Sequence, residues 1–458
     1  MASRTRYFPL VLSVLALAGC GSDDENEASC NVETQRGCDS GRVCEEVDGA
    51  EPACFAPVVI EGRVIDAASL EPIERARVAA RDVNGALISR SIADTDAEGR
   101  YSIQIVARRN ADGEPLIEPP LLRADAAGYA TFPSGLRVAI AVDTTAGREQ
   151  DGRFVIENGT TGVALDPLPN SRGLGTLRGK VGAAGAAGTL VVAGGASGIA
   201  ARDGSFTIFN VPVGTTEVRG YKAGLALEPE MVTVAEASVT SDVVLSPAGQ
   251  ALARVSGDVS FVDARAQETS VVLVVASTFN AALARGEVPV GLRQFPVSGR
   301  YAFEDVPAGE YVVLAAFEND GLVRDPDTAI GGTAIQRISV GAGEVSVPGF
   351  KITGALEVMS PGATSAEPVQ GTPSFTFQDD SSEDGYELVV YDTFGNEVWR
   401  NPDVPRVSGS GTVSENYGGP PLAPGYYQFR AISWRSANSG GRTYISATED
   451  LKGVFIVQ

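Results

Sequence analysis

The strongest indication of the fold is the segment Asp94-Thr95-Asp96-Ala97-Glu98-Gly99-Arg100-Tyr101-Ser102-Ile103-Gln104-Ile105. Tyr101, Ile103 and Ile105 alternate with polar residues, and this period of two predicts a strand with one buried face. The aspartate and glycine residues before Tyr101 favour the turn that precedes the strand. Upstream, Val58–Asp66 alternates around Gly62 and predicts another strand.

The same combination of turn and strand returns twice. Its copies lie at residues 202–208 and 298–303, and each runs into a Pro-x-Gly step, at Pro212 and Pro307. Proline presets φ for a turn and glycine suits the fourth turn position, so each step predicts a turn into a further strand. A Gly-x-Val strand start precedes each copy. We therefore predict three tandem β-sandwich domains of one kind, over residues 58–170, 171–248 and 249–354.

Residues 355–458 have a different pattern that also indicates strands. An apolar run over residues 386–392 meets residues 395–399 through Thr393-Phe394-Gly395, which predicts a hairpin. Further on, Pro424-Gly425 predicts a turn ahead of another strand. The predicted fold class of the chain is thus all-β, with a fourth β-sandwich at its C-terminal end.

The repeated pattern of Gly-x-Val, Asp-x-x-Gly-x-Tyr and Pro-x-Gly resembles the carboxypeptidase regulatory-like domain, a transthyretin-like sandwich of seven strands. The resemblance covers roughly two thirds of the chain, and it implies a non-catalytic structural or adhesive domain without active-site residues. Residues 355–458 resemble a fibronectin type III or similar immunoglobulin-like sandwich, on the stretch from Leu422 through Pro424-Gly425 to Arg430. Phe429 stands where that family usually has a tyrosine.

The first 19 residues have the pattern of a secretory signal peptide. Arg4 and Arg6 precede the apolar run Leu10–Ala18, which is shorter than the roughly 20 residues of a membrane-spanning helix. The ending Leu17-Ala18-Gly19-Cys20 resembles the lipobox of bacterial lipoproteins, which implies cleavage before Cys20 and acylation of that cysteine. The expected location is then the outer membrane or cell surface, with membrane lipid as the partner of Cys20.

Residues 20–57 are predicted to be an acidic tether followed by a small disulfide-rich module. Four cysteines within 25 residues of an exported chain imply two disulfides, since so short a segment cannot bury a core. The sequence leaves all three pairings open, and a zinc knuckle is the alternative. These four residues are Cys30, Cys38, Cys44 and Cys54.

Composition excludes several kinds of function. The chain of 458 residues contains no histidine, which excludes Ser-His-Asp and Cys-His catalysis and every histidine-dependent metal site. Its net charge of −22, or −24 without Arg4 and Arg6, disfavours nucleic acid as a partner. No segment predicts a cofactor, and no catalytic or metal-binding residue is assigned.

Two sets of residues are candidate sites. Asp94, Asp96 and Glu98 offer too few oxygens for calcium and are interpreted as turn formers. The last segment holds 13 of the 31 aromatic residues, which we interpret as packing in a sandwich core, with an exposed ligand platform as the alternative. The platform candidates are Trp399, Trp434 and Tyr426.

The expected function is a non-catalytic, lipid-anchored stalk or interaction scaffold at the cell surface. The first alternative is a carbohydrate-binding or adhesin lipoprotein that uses the C-terminal aromatic residues to bind a surface glycan or protein. A hydrolase that uses paired carboxylates is the second alternative, and the sequence favours it least.

Overall fold

The computed structural model describes residues 30–32, 34–82, 87–133, 140–262, 268–281, 285–315, 335–380, 383–407, 411–437, 440–449 and 451–458, and the backbone of 322–324. Within these ranges the regular structure is 37 strands and three short 3₁₀ turns, which confirms the all-β, tandem-domain fold class. The predicted leader and Cys20 lie outside the described residues. None of the described helices has the length and apolar character needed to cross a membrane.

The cysteines near the N-terminus brace a small two-stranded module, called here the cysteine module. Its strands β1 (Val43–Val47) and β2 (Ala50–Phe55) are antiparallel. Disulfides join Cys30 to Cys44 and Cys38 to Cys54, which selects one of the three pairings left open by the sequence.

The first unit contains two sheets and a hairpin. One sheet has the order β10-β11-β3-β12, with β6 also paired to β3, and the other has the order β5-β4-β9. The hairpin β7-β8 extends the sheet of the cysteine module, which is thereby joined to this unit. The alternation predicted for β6 is confirmed, because Tyr101, Ile103 and Ile105 are buried and Ser102 is exposed. The elements are β3 (Val58–Asp66), β4 (Arg77–Arg81), β5 (Ala93–Asp94), β6 (Arg100–Ile105), β7 (Arg108–Arg109), β8 (Pro115–Leu116), β9 (Leu121–Asp125), a 3₁₀ turn (Thr144–Ala146), β10 (Arg148–Gln150), β11 (Arg153–Ile156), a 3₁₀ turn (Gly159–Thr161) and β12 (Val163–Leu165).

The second unit is a sandwich of seven strands. Three strands form a sheet in the order β16-β13-β19, and four form a sheet in the order β15-β14-β17-β18. The elements are β13 (Leu174–Val181), β14 (Leu190–Ala193), β15 (Ala196–Ile199), β16 (Ser205–Pro212), β17 (Gly214–Tyr221), β18 (Glu230–Val234) and β19 (Val239–Leu245).

The third unit repeats this arrangement with longer connections. Its sheets have the orders β23-β20-β28-β25, with β27 also on β20, and β22-β21-β24-β26. In all three units the first strand pairs in parallel with the last, which gives them a common topology. The elements are β20 (Ala253–Val262), β21 (Thr269–Val275), a 3₁₀ turn (Ala276–Thr278), β22 (Arg293–Val297), β23 (Arg300–Val306), β24 (Gly309–Ala315), β25 (Leu322–Arg324), β26 (Gln336–Val340), β27 (Gly343–Ser346) and β28 (Phe350–Gly354).

The fourth unit has a sheet of order β29-β31-β34 and a larger one of order β30-β37-β35-β32-β33, with β36 also on β35. The predicted hairpin is present as β32 and β33, and the Pro424-Gly425 step leads into β35. The Tyr427 hydroxyl donates to the Ala423 carbonyl at 2.9 Å, a tyrosine corner that fixes the entry to this strand. The elements are β29 (Val358–Ser360), β30 (Glu367–Val369), β31 (Ser374–Gln378), β32 (Gly385–Asp392), β33 (Glu397–Pro405), β34 (Thr412–Asn416), β35 (Gly425–Ser436), β36 (Arg442–Ala447) and β37 (Val454–Val457).

The first three units are fused through a shared core. One cluster of buried side chains extends from the interior of the third unit through Leu190, Val192 and Tyr221 of the second unit to Ala79 of the first. At the boundary of the first two units, the Asn210 side chain donates to the carbonyls of Ala126 (3.1 Å) and Tyr129 (2.8 Å). These contacts bury sheet faces that would be exposed if each unit stood alone.

The fourth unit folds back onto the first. The Tyr426 hydroxyl donates to the Asp143 carboxylate at 3.1 Å, and Leu451 packs against the core of the first unit. The units therefore do not follow one another end to end, as a fully extended stalk would require.

Candidate functional site

Trp399 faces the interior of its own sandwich. It lies on β33, where its ring stacks with that of Phe375 at a centroid distance of 6.2 Å and lies 5.1 Å from that of Tyr417. A Cβ atom at Gly419 would lie 2.9 Å from its Cδ1. These contacts pack the partly buried ring against the core of the fourth unit.

Trp434 lies on the opposite face of the same sheet. On β35 the buried residues Phe429 and Ala431 point into the sandwich. Trp434 is an odd number of positions away from both, so the alternation of side chains along the strand places it on the other face. Its ring packs over Gly385, where a Cβ atom would lie 2.8 Å from Cζ2. The Arg442 guanidinium covers the ring at 4.0 Å from its centroid, a cation–π contact.

Tyr426 is part of an interface between units. In addition to its hydrogen bond with Asp143, the ring lies so close to Gly159 that a Cβ atom there would be 2.8 Å from Cδ2. Burial, together with the neighbouring Asp143 carboxylate, raises the pKa of the Tyr426 hydroxyl to about 12. Its aromatic face thus serves to join the fourth unit to the first.

The three predicted platform residues do not form one surface. Trp399 points inward, Trp434 lies on the outer face of the sheet, and Tyr426 lies between units. The structure adds Tyr444, which is opposite Trp434 on β36 and 40% exposed. Its hydroxyl donates to Glu387 at 3.2 Å, and Glu387 also pairs with Arg400. Sequence reasoning missed Tyr444, although its position on a strand adjacent to that of Trp434 could have indicated it.

The acidic turn before β6 has a structural role. Asp96 Oδ1 accepts hydrogen bonds from the backbone N–H groups of Glu98 (3.0 Å) and Arg100 (2.7 Å). Asp94 lies 3.7 Å from the Arg77 guanidinium. In the part of the chain that the structure describes, the one group with metal-ligand spacing is Cys30, Cys38 and Cys54, all of them in disulfides.

A buried ion pair joins the cysteine module to the first unit. Glu45 is fully buried, and one of its oxygens lies 2.7 Å from Nε of Arg109. Arg109 also donates to the Ala56 carbonyl at 2.8 Å, and its guanidinium lies 4.6 Å from the centroid of the Phe55 ring. Burial raises the pKa of Glu45, an effect that Arg109 opposes. The sequence did not indicate this pair, because its members are 64 residues apart.

A second buried group of charges lies where the first three units meet. Arg123 of β9 is 2% exposed and donates to Asp125 (2.9 Å) and to the hydroxyl of Ser197 (3.0 Å) in the second unit. Its Nε lies 3.5 Å from a carboxylate oxygen of Glu287 in the third unit. Arg81 of β4 pairs with the same carboxylate. We call Arg81, Arg123, Asp125 and Glu287 the junction cluster.

No protein-family model matches this chain, and no curated protein matches its sequence. Among solved structures, it is similar to a DUF3823 family protein from Bacteroides ovatus, with 11% identity and a TM-score of 0.21, over 45% of this chain and 100% of that one. A shaft pilin of Lactobacillus rhamnosus has 11% identity and a TM-score of 0.17, over 42% and 99%. A streptococcal ancillary pilin has 10% identity and a TM-score of 0.16, over 64% and 98%. No function is inferred from similarities of this size.

Proposed function

We propose that this chain is a lipid-anchored, non-catalytic scaffold of the outer membrane or cell surface. In this proposal Cys20 carries the acyl chains, the disulfides brace the base, and three carboxypeptidase regulatory-like units and one fibronectin III-like unit form the body. The observation that carries the proposal is the fusion of the units through a shared core and a buried cluster of charges. Such packing suits a rigid scaffold whose own surface keeps a fixed shape.

Three carboxylates of low exposure serve in structural ion pairs, and this supports a non-catalytic role. Glu45, Glu287 and Glu387 each pair with an arginine, and those pairs join strands or units. A glycosidase needs two carboxyl groups that face a common open space. These three carboxylates instead lie in separate structural contacts.

Mass spectrometry of the mature N-terminus tests the anchor. We expect a peptide that begins with an acylated Cys20 and a protein that sediments with membranes, because several acyl chains are needed for stable anchoring. The Cys20→Ser variant should lose the acyl mass and leave the membrane fraction. A free thiol at position 20, or a leader still attached in the mature protein, would contradict the proposal.

A carbohydrate-binding role is the second candidate. The observation that favours this role is the exposed ring of Tyr444, which lies beside Trp434. A glycan array with the purified protein tests this role. Binding that is lost in Tyr444→Ala but retained in Tyr417→Phe would support it, since Tyr417 packs inside the core. Turnover of a glycoside or peptide panel by the pure protein would overturn the non-catalytic proposal.

A further inference from the structure

The junction cluster takes members from two units and touches a third. Arg81 and Arg123 come from adjacent strands of the first unit, and Glu287 comes from the loop before β22 in the third. Ser197 of β15 adds a hydroxyl and a carbonyl from the second unit, each within 3.1 Å of Arg123 Nη2. A single arginine side chain thus contacts all three units.

The cluster is electrically balanced only when the third unit is docked. The first unit contributes the cations Arg81 and Arg123 but only one anion, Asp125, and Glu287 supplies the second. Nearby, Arg293 of the third unit lies 3.1 Å from Asp82 of the first, which makes a further ion pair across the same boundary. Removing one partner of a buried ion pair leaves an uncompensated charge, which is strongly unfavourable.

The loop that carries Glu287 is also held in place by hydrogen bonds within the third unit. The Glu287 carbonyl accepts from the Val275 N–H at 2.9 Å, and its N–H donates to the Thr278 hydroxyl at 2.9 Å. The carboxylate is therefore presented at a fixed position at the end of β21. Movement of this loop would also move the end of a core strand.

We propose that Glu287 is an interlock that couples the first three units, so that none of them opens without the others. If the loop of the third unit withdraws, the two arginines of the first unit lose a carboxylate and remain beside a single aspartate. The second unit is held by the same cluster, because Arg123 spans from Asp125 to Ser197. The three units then respond to local opening as one body. This inference does not depend on how the chain is anchored.

Hydrogen exchange of the purified mature chain, read by mass spectrometry, tests the interlock. In Glu287→Gln, which keeps the shape and removes the charge, we expect amide exchange to rise about tenfold or more in four segments. These segments are β4 and β9 of the first unit, β15 of the second and the loop around Glu287. Glu304→Gln is the matched control, because Glu304 pairs with Arg254 at an exposed position of the same unit. It should leave exchange in all three units unchanged.

A second variant separates the interlock from simple destabilisation. Adding Arg81→Met to Glu287→Gln leaves Arg123 and Asp125 as a balanced pair, so the double variant should recover much of the protection lost in the single variant. A rise in exchange that is confined to the third unit in Glu287→Gln would overturn the proposal. So would a double variant in which exchange in the first and second units is faster than in Glu287→Gln alone.

Discussion

At the scale of single residues, the glycine of each Gly-x-Val step makes room for an aromatic ring on the neighbouring strand. The glycine and the ring are direct partners in the strand register, and the same pairing occurs in the first three units. A Cβ atom at Gly179 would lie 2.2 Å from the Val243 carbonyl oxygen and 2.5 Å from the Phe206 ring. The repeated motif is therefore a packing device. The pairs are Gly62 with Tyr101, Gly179 with Phe206 and Gly257 with Tyr301.

The variant Gly179→Ala tests this account of the motif. We expect the free energy of unfolding to fall by about 1–3 kcal/mol, because the added methyl group overpacks a site bounded by backbone. Urea denaturation of the purified protein measures the change. Gly249→Ala is the control, since no atom lies within 4 Å of its added Cβ. Equal stability of the two variants would contradict the packing role.

At the scale of elements, two neighbouring arginines of β7 show why burial decides the value of an ion pair. Arg108 pairs with Asp48 at the surface, with 62% and 44% of the side chains exposed. Arg109 pairs with Glu45, with 5% and 0% exposed. Exposed pairs contribute about 0–1 kcal/mol, whereas removing one partner of a buried pair costs about 3–5 kcal/mol. Of the two arginines, Arg109 is therefore the one whose side chain should contribute more to attaching the cysteine module.

Arg109→Met should therefore lower the free energy of unfolding of the cysteine module by about 3 kcal/mol or more. Arg108→Met, one residue away on the same strand, should lower it by less than about 1 kcal/mol. Hydrogen exchange over β1 and β2 measures the difference. Similar losses in the two variants would show that the buried pair has no special role in attachment.

The contribution of the Glu287 carboxylate to the stability of the protein should depend on pH. Burial would raise the pKa of this carboxyl group, but Arg123 and Arg81 together hold it below its usual value of 4.5. A lowered pKa in the folded protein contributes stability that is present above pH 4.5 and is lost as the pH falls through the folded value. The Tm difference between the parent and Glu287→Gln should accordingly shrink as the pH is lowered below 4.5. A difference that grows in acid would contradict this assignment.

At the scale of the whole molecule, the sequence predicted the features that depend on neighbouring residues, which are strands and turns. Alternation over Tyr101–Ile105 and the turn at Pro424-Gly425 predicted strands that the structure contains, because side chains and turns are set by neighbouring residues. Contacts between units could not be predicted in this way. Arg123 and Glu287 are distant in sequence, and an arginine in an apolar strand gives no sign of the partner that neutralises it. For the same reason, abundant aromatic residues did not show that Trp399 packs inward and Tyr426 joins two units.

In the structure the first three sheet units are interlocked and the fourth packs back onto the first, so that all four form one body. Small-angle X-ray scattering of the purified chain from residue 21 onward is the decisive measurement. A single compact body of this length should have a radius of gyration of about 22 Å. Four units strung end to end, at about 35–40 Å each, would give about 40 Å. We expect the smaller value, and a radius near the larger one would show that the units do not form one body.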